Sequence, residues 1–439
     1  MAISSSPTNF GFNNRTHTDR RAMSIATTLF FMWGFLTCMN DILIPHLKSI
    51  FELSIAEAAL IQTAFFGSYF LFAIPAGKLV EYRGYKQTMV VGLLVAAAGA
   101  VLFIPAAHLA SYPLFLAAQV VLAAGITGLQ VAANPFVASV GPADTSSSRL
   151  NLSQAFNSLG TTIAPYIGRA TILAGATALT AAEVHRLSTT QLDAYRAHEA
   201  STVTMPYLVI TGILVLLAAL LAMVRLDNSE HVTVDLRPIA GFGGSVWNQK
   251  WLVLGAIGIF VYVGAEVSIG SFLINYFERP DIGGLSAVAA AGFVPYYWGG
   301  AMIGRFVGSV VLQKVRTGIL LGFAAAVAFL LVVASMLTHG TVAMYTILAV
   351  GFFNSIMFPS IFALGLTGLG DLTSKGSGLM VQAIVGGAIL PYLYGKFADQ
   401  IGYQRAFIIP AVCYIFIAFY GFASTRRTIM TDPLAGGPA

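Results

Sequence analysis

Two carboxylates stand inside long apolar stretches of this chain, and they are the side chains best placed to do chemistry. Asp41 follows Asn40 in the stretch LFFMWGFLTCMNDILIP, and Glu266 lies in YVGAEVSIGSFLINYF. Burying a carboxylate in an apolar membrane interior costs several kcal/mol, so such residues are rare and usually functional. Asp41 is therefore a candidate for coupling to an ion, with Asn40 and Glu266 as further candidates. A helix that ends before Asn40 would instead place Asp41 in interfacial water.

Carboxamides recur at helical spacing in several other apolar stretches. Gln130 and Asn134 share a helical face, as do Gln154 and Asn157. Each alone has a simple interpretation as a hydrogen bond between helices, because lipid offers amides no partners. As a set, they match the dense donors and acceptors of a sugar, whose apolar ring face would pack on aromatic side chains. The candidate sugar-binding residues are Gln130, Asn134, Gln154, Asn157, Glu266, Asn275, Asn354, Gln382, Trp33 and Tyr297.

No arrangement of residues typical of catalysis competes with this interpretation. The seven histidines fall in tails, loops or the ends of apolar stretches, and the two cysteines have neither disulfide nor zinc spacing. The chain also has no phosphate-binding glycine loop in a strand–turn–helix context. We therefore expect a protein that is not an enzyme, needs no cofactor and is not driven by ATP.

The composition is that of a membrane protein. Hydrophobic residues make up 57% of the 439 residues and charged residues only 9%, with a mean hydropathy of +0.79. Soluble domains carry roughly 25% charged residues, so that class is excluded. The net charge of +5 comes without a basic cluster interleaved with aromatics, so we expect no nucleic-acid partner. The expected location is the bacterial inner (plasma) membrane, as an integral multi-pass protein.

Windows of about 20 apolar residues predict an all-α membrane protein with twelve transmembrane helices. With both termini cytoplasmic, most of the 23 Lys and Arg fall on the inner side, as the positive-inside rule requires. The polar stretch 181–201 is predicted to be an excursion outside the membrane on the outer side that includes a short helix, because its charges exclude a thirteenth span. The predicted spans are 24–45, 57–80, 88–108, 112–141, 146–173, 205–224, 251–277, 285–312, 317–338, 341–369, 377–396 and 403–424.

A polar, glycine-rich segment between the sixth and seventh spans divides the chain into two six-helix bundles. Basic turns that begin and end with glycine recur in both halves, which favours duplicated triple-helix units and alternating access. The predicted domains are a cytoplasmic tail (1–23), an N-terminal bundle (24–224), a cytoplasmic linker (225–250), a C-terminal bundle (251–424) and a cytoplasmic tail (425–439). The candidate gating residues are Gly77, Gly84, Lys86 and Arg305, unless these charges serve topology alone.

Four motifs carry a resemblance to a known family. They are NDILIP at 40–45, AANPF at 132–136, RLNLSQAFNS at 149–158 and NSIMFP at 354–359. Together they resemble the fucose–proton symporter family of the major facilitator superfamily, over roughly residues 24–424. The resemblance implies two six-helix bundles around a central sugar site, and transport driven by an ion gradient.

One position departs from the fucose permeases of that family. They pair the acid of span one with a glutamate on span four, where this chain has Gln130. The segment GAEVSIG around Glu266 looks more like the glucose/galactose transporter branch. The resemblance therefore implies a symporter for a hexose such as glucose or galactose. The alternatives are a proton-coupled symporter of fucose or a related deoxysugar, and a passive sugar facilitator.

Asp41 is the expected coupling carboxylate, and the co-transported ion is H+ or Na+. A proton would neutralise the buried charge, whereas sodium would take hard oxygen ligands from Asp41 and from Asn40 or a facing amide. Na+ at Asp41 is thus the one candidate metal site. We expect the small-molecule sugar and the lipid bilayer as partners, and a monomer. A drug antiporter would have fewer buried amides, and a sensor would carry a larger cytoplasmic domain.

Overall fold

Helices account for nearly all of the described structure, a computed structural model. Backbone is described for residues 17–51, 55–109, 111–168, 186–224 and 245–430. Side chains are described over the same ranges except at 40–51, 55–59, 62, 168, 189, 193, 196, 197, 199–203 and 427–430. No β-strand occurs within these ranges.

The N-terminal half contributes five described helices. The second is bent at Gly84, whose φ of 76° and ψ of 172° interrupt the helix, so it covers both spans two and three of the prediction. They are α1 (Arg20–Phe51), α2 (Ile55–His108), α3 (Tyr112–Ser139), α4 (Ser146–Gly168) and α5 (Thr189–Met223).

The C-terminal half begins after the predicted linker, of which 225–244 lies outside the described residues. Its helices pack mainly on one another, as those of the first half do. They are α6 (Lys250–Glu278), α7 (Ala287–Ala291), α8 (Val294–Val311), α9 (Thr317–Leu337), α10 (Gly340–Asn354), α11 (Met357–Leu366), α12 (Thr373–Gln382), α13 (Gly386–Ile401), α14 (Tyr403–Ala406) and α15 (Ile408–Met430).

Each of the twelve predicted spans coincides with helix over most of its length, although the boundaries differ. Nine described stretches are long and apolar enough to cross a membrane, and one of them, Thr63–His108, covers two predicted spans. The two remaining predicted spans correspond to α4 and α8. These two helices face each other across the two halves, where the Asn151 amide bonds to the carbonyl of Arg305.

The outer excursion is organised differently from the prediction. Of the stretch 181–201, residues up to 185 lie outside the described part. The remainder is the beginning of α5, which runs without interruption into the predicted sixth span. Its start is fixed by a capping box, in which the Ser188 and Gln191 side chains each bond to the other's backbone.

Prolines free backbone carbonyls in two of the central helices. Proline cannot donate an amide and its ring displaces the carbonyl four residues earlier. The predicted single span 341–369 is broken into α10 and α11 just before Pro359, and the carbonyl of Ser355 accepts a bond from Arg305 Nε at 3.4 Å. In α3, Pro135 likewise leaves the carbonyl of Val131 without an amide partner in the helix. That carbonyl instead accepts a hydrogen bond from Ser377 Oγ at 2.7 Å.

Candidate functional site

Glu266 lies at the centre of a polar cluster in the C-terminal half. The hydroxyl of Tyr262, one turn earlier on α6, donates to Glu266 Oε1 at 2.8 Å. Arg305 on α8 places Nη2 3.9 Å from the same oxygen, and both charged side chains are only 12% exposed. Burial of the two charges together fits the rule that a buried charge is retained when it is paired.

A second set of polar groups extends this cluster along α8 and α10. The Tyr297 hydroxyl donates to the backbone carbonyl of Glu266 at 3.3 Å and accepts from the Asn354 amide at 2.9 Å. Asn354 and Tyr297 are fully buried. The amide is therefore held by α8 close to the interruption between α10 and α11.

Gln130 is the centre of a separate polar cluster in the N-terminal half. Its amide donates to the Tyr69 hydroxyl at 2.7 Å, and Trp33 lies within hydrogen-bonding reach of the same hydroxyl. The Asn134 amide donates to the carbonyl of Gln130 at 2.9 Å. Both carboxamides are buried, with Gln130 2% and Asn134 0% exposed. Residues predicted from α1 and α3 are thus brought together, with Tyr69 of α2 joining them.

Four carboxamide oxygens in the N-terminal half are buried with no hydrogen-bond partner among the described residues. They belong to Gln119, Gln130, Asn134 and Asn151. An unpaired buried acceptor costs about 1–3 kcal/mol, so folded proteins rarely keep several of them without a use. The oxygens of Gln130 and Asn134, which belong to one cluster, are what a ligand rich in hydroxyl donors would require.

The remaining predicted sugar-binding residues are spread more widely. Asn157 donates to the carbonyl of Phe30 at 3.0 Å and so bonds α4 to α1. This agrees with the interpretation of a single amide as a hydrogen bond between helices. Gln154 is buried on α4, and Gln382 donates to the carbonyl of Phe70 at 3.0 Å. Asn275 is exposed about 13 Å beyond Glu266 along α6 and stands apart from the cluster.

The side chains of Asn40 and Asp41 lie outside the described residues. The backbone of α1 continues as helix through both positions to Phe51, so the helix does not end before Asn40. Their roles in ion coupling, and a sodium site at Asp41, remain predictions from the sequence.

The two halves meet through direct contacts at the end of the bundle that carries the N-terminus, the predicted inner end. Hydroxyls on α4 bond to the second half, with Ser148 Oγ 2.6 Å from the carbonyl of Ser309 and Ser147 Oγ 3.0 Å from Thr317 Oγ1. The Asn151 amide donates to the carbonyl of Arg305 at 2.7 Å. We call these α4 to α8–α9 bonds the inner contact.

The predicted gating glycines lie beside a second meeting point at the same end. A Cβ on Gly77 would lie 3.1 Å from the carbonyl of Ser374, so glycine permits α2 and α12 to approach closely. An ion pair joins Lys375 Nζ to Glu81 Oε1 across the halves at 3.4 Å. Gly84 adopts a positive φ that L residues avoid, and Lys86 is half-buried two residues later.

Gly402 repeats the backbone conformation of Gly84, with a φ of 85° and ψ of 154°. Each of these two glycines precedes a tyrosine at the turn between two helices. The shared conformation supports the predicted repeat of basic, glycine-bounded turns.

Sequence reasoning missed several residues of these clusters. Tyr262 was detectable, because it lies four residues before Glu266 on one helix face. The pairing of Arg305 with Glu266, the Ser158 contact described below and the Ser377 bond to Val131 depend on which helices face each other, and a single sequence carries no signal for that.

Comparisons with known proteins match this chain to sugar transporters over nearly its whole length. The family model of the major facilitator superfamily matches residues 23–384. A glucose/galactose transporter of Brucella abortus biovar 1 (strain 9-941) is 49% identical over 426 residues, covering 96% of this chain and 98% of that protein. The L-fucose-proton symporter of Escherichia coli (strain K12) is 34% identical over 420 residues, covering 93% and 94%.

A solved structure supports the same fold. The crystal structure of FucP, a major facilitator superfamily transporter in the outward conformation, superposes with a TM-score of 0.84 at 33% identity, covering 92% of this chain and 98% of FucP. Each protein named here is a transporter or symporter, which confirms the prediction of a carrier and not an enzyme. The chain is a sugar transporter of the bacterial inner membrane, and it belongs to the fucose–proton symporter family of the major facilitator superfamily.

Proposed function

We propose that this protein is an ion-coupled symporter that imports a hexose such as glucose or galactose by alternating access. The observation that carries the proposal is the pair of polar clusters, one in each half, around Gln130 and around Glu266. A ligand between the halves would reach amide and carboxylate groups from both. The similarity to a glucose/galactose transporter over nearly the whole chain supports a hexose as the ligand.

Asp41 is the proposed coupling carboxylate, with Asn40 beside it and Glu266 as a second acid. Alternating access requires that loading of the ion and of the sugar together permit the halves to rock about the central site. The name of the E. coli relative, a proton symporter, supports H+ as the co-transported ion. Sodium stays the alternative, since Gln130 replaces the acid that would hold a second proton.

The moving units are the two bundles, 24–224 and 251–424, within a monomer. The inner contact would hold them closed on the cytoplasmic side, which leaves the outer side as the entrance. This arrangement agrees with the outward conformation named for the FucP structure. In the opposite state, the inner contact would separate while the outer ends approach.

Competition between sugars tests the proposed substrate. Proteoliposomes loaded with unlabelled glucose should take up labelled glucose by counterflow, since exchange needs no ion gradient. We expect excess galactose to suppress this uptake strongly, with fucose and mannose less effective. Stronger suppression by fucose than by galactose would contradict the hexose assignment and favour the proton-coupled fucose symporter.

A further inference from the structure

Arg305 is a charged side chain that touches both halves of the protein. Within the C-terminal half it is paired with Glu266, at 3.9 Å. Across the interface, its Nη1 donates to the Ser158 hydroxyl and, at 3.5 Å, to the carbonyl of Gln154, both on α4. The guanidinium therefore bridges an acid of one half and a helix of the other.

The charge balance of this bridge depends on Glu266. On α4, Arg305 meets a hydroxyl and a carbonyl, which carry no net charge. Among the side chains that the structure describes, the other titratable groups that face Glu266 are the phenols of Tyr262, Tyr297 and Tyr414, which are neutral at working pH. Removing one partner from a buried ion pair is costly, because it leaves an uncompensated charge in a poorly hydrated place.

The bridge is continuous with the inner contact. The backbone carbonyl of Arg305 accepts the Asn151 amide, and the bonds of Ser147 and Ser148 follow along the same α4 surface. These are bonds between neutral groups, each worth about 0.5–1.5 kcal/mol. Loss of the Glu266 charge, which leaves the Arg305 guanidinium unpaired, is therefore large enough to decide whether they persist.

We propose that Arg305 is a positioning residue that transmits the charge of Glu266 to the inner contact. While Glu266 is a carboxylate, the guanidinium stays between the halves and the inner contact is closed. When Glu266 is neutral, the guanidinium leaves α4 for water and the inner contact opens. The inference rests on the proposed function for its role in transport. It adds a route by which the charge of Glu266 controls the inner contact between the two halves.

Thiol labelling of the inner contact tests this link. Ser147→Cys, in a chain whose Cys38 and Cys413 are replaced by alanine, reports opening to a membrane-impermeant maleimide in inside-out vesicles. Ser147 is 3% exposed, so labelling should be slow while the contact is closed. We expect Glu266→Gln to speed labelling about tenfold, equivalent to a shift of about 1.4 kcal/mol. In a chain that already carries Arg305→Gln, adding Glu266→Gln should change the rate little.

The double-mutant cycle separates a transmitted effect from independent structural damage. The same acceleration by Glu266→Gln with and without Arg305 would overturn the proposal, as would no acceleration at all. Glu266→Asp serves if the glutamine variant fails to insert: it keeps the charge and should label at the parent rate. Tyr262→Phe also keeps the charge, so rapid labelling of that variant would contradict the proposal.

Asp281→Asn is a matched control, because it breaks an arginine–carboxylate pair on an outer loop. Arg279 lies 2.9 Å from Asp281 there, and its hydrogen bonds hold the pKa of Asp281 below the ordinary value. We expect this variant to label at the parent rate, and rapid labelling would contradict the specific role of Glu266. Because labelling needs neither sugar nor gradient, it stands independently of the counterflow test of the substrate.

Discussion

Replacing Asp41 with asparagine is expected to abolish sugar accumulation against a gradient while sugar exchange continues. Asparagine keeps the size of the side chain but cannot take up a proton in the working pH range, and it offers sodium no charge. With one ion per sugar, a tenfold ion gradient supports about tenfold accumulation in the wild type. The variant should only equilibrate the sugar. Uptake of labelled sugar into proteoliposomes with an imposed gradient measures the difference.

Asp19→Asn is the matched control for this change. Asp19 caps the beginning of the same helix, where its Oδ1 accepts the backbone amides of Arg21 and Ala22 at 2.9 and 3.1 Å. Asparagine caps helices about as well as aspartate, so accumulation should be unaffected. Full accumulation by the Asp41→Asn variant would remove Asp41 from the coupling mechanism.

Replacing Gln130 with alanine is expected to weaken sugar binding more than it weakens the fold. The Gln130 amide holds the Tyr69 hydroxyl, and its carbonyl oxygen has no partner among the described residues. A buried sugar hydroxyl left unpaired costs about 1–3 kcal/mol, which lowers affinity roughly 5- to 150-fold. Calorimetry or fluorescence titration of the purified variant with glucose and galactose measures this loss.

Gln119→Ala makes the same change at another buried position of α3. Gln119 is fully buried about 16 Å away along the helix, and both ends of its amide lack a partner among the described residues. Its loss should leave sugar affinity intact. If the Gln130 and Gln119 variants bind sugar equally well, Gln130 serves only to bond α3 to α2.

The helices and many of their breaks could be predicted from the sequence, because they follow from local chemistry. The apolar windows indicated where helices run, and Gly84 marked the turn that only a positive φ could make. The short interruption of span ten at Ser355 and Ile356, before Pro359, was not predicted. The carbonyl of Ser355 that Pro359 leaves without an amide partner accepts from Arg305, and that contact comes from a different helix.

The candidate site was predictable as a set of residue types and not as an arrangement. Helical periodicity shows which face of a helix is polar, but it does not show which other helix that face meets. Asn157 bonds to α1 and Asn275 is exposed, although both had the same signal as Gln130. The pairing of Glu266 with Arg305 likewise requires the packing of α6 against α8.

Sugar uptake by the wild-type protein in proteoliposomes, under an imposed proton or sodium gradient, tests the central claim most directly. We expect glucose or galactose to accumulate inside the vesicles above the outside concentration under one of these gradients. An ionophore for that ion should return the sugar to equilibrium. Sugar that only equilibrates under both gradients would contradict ion coupling and identify a passive facilitator.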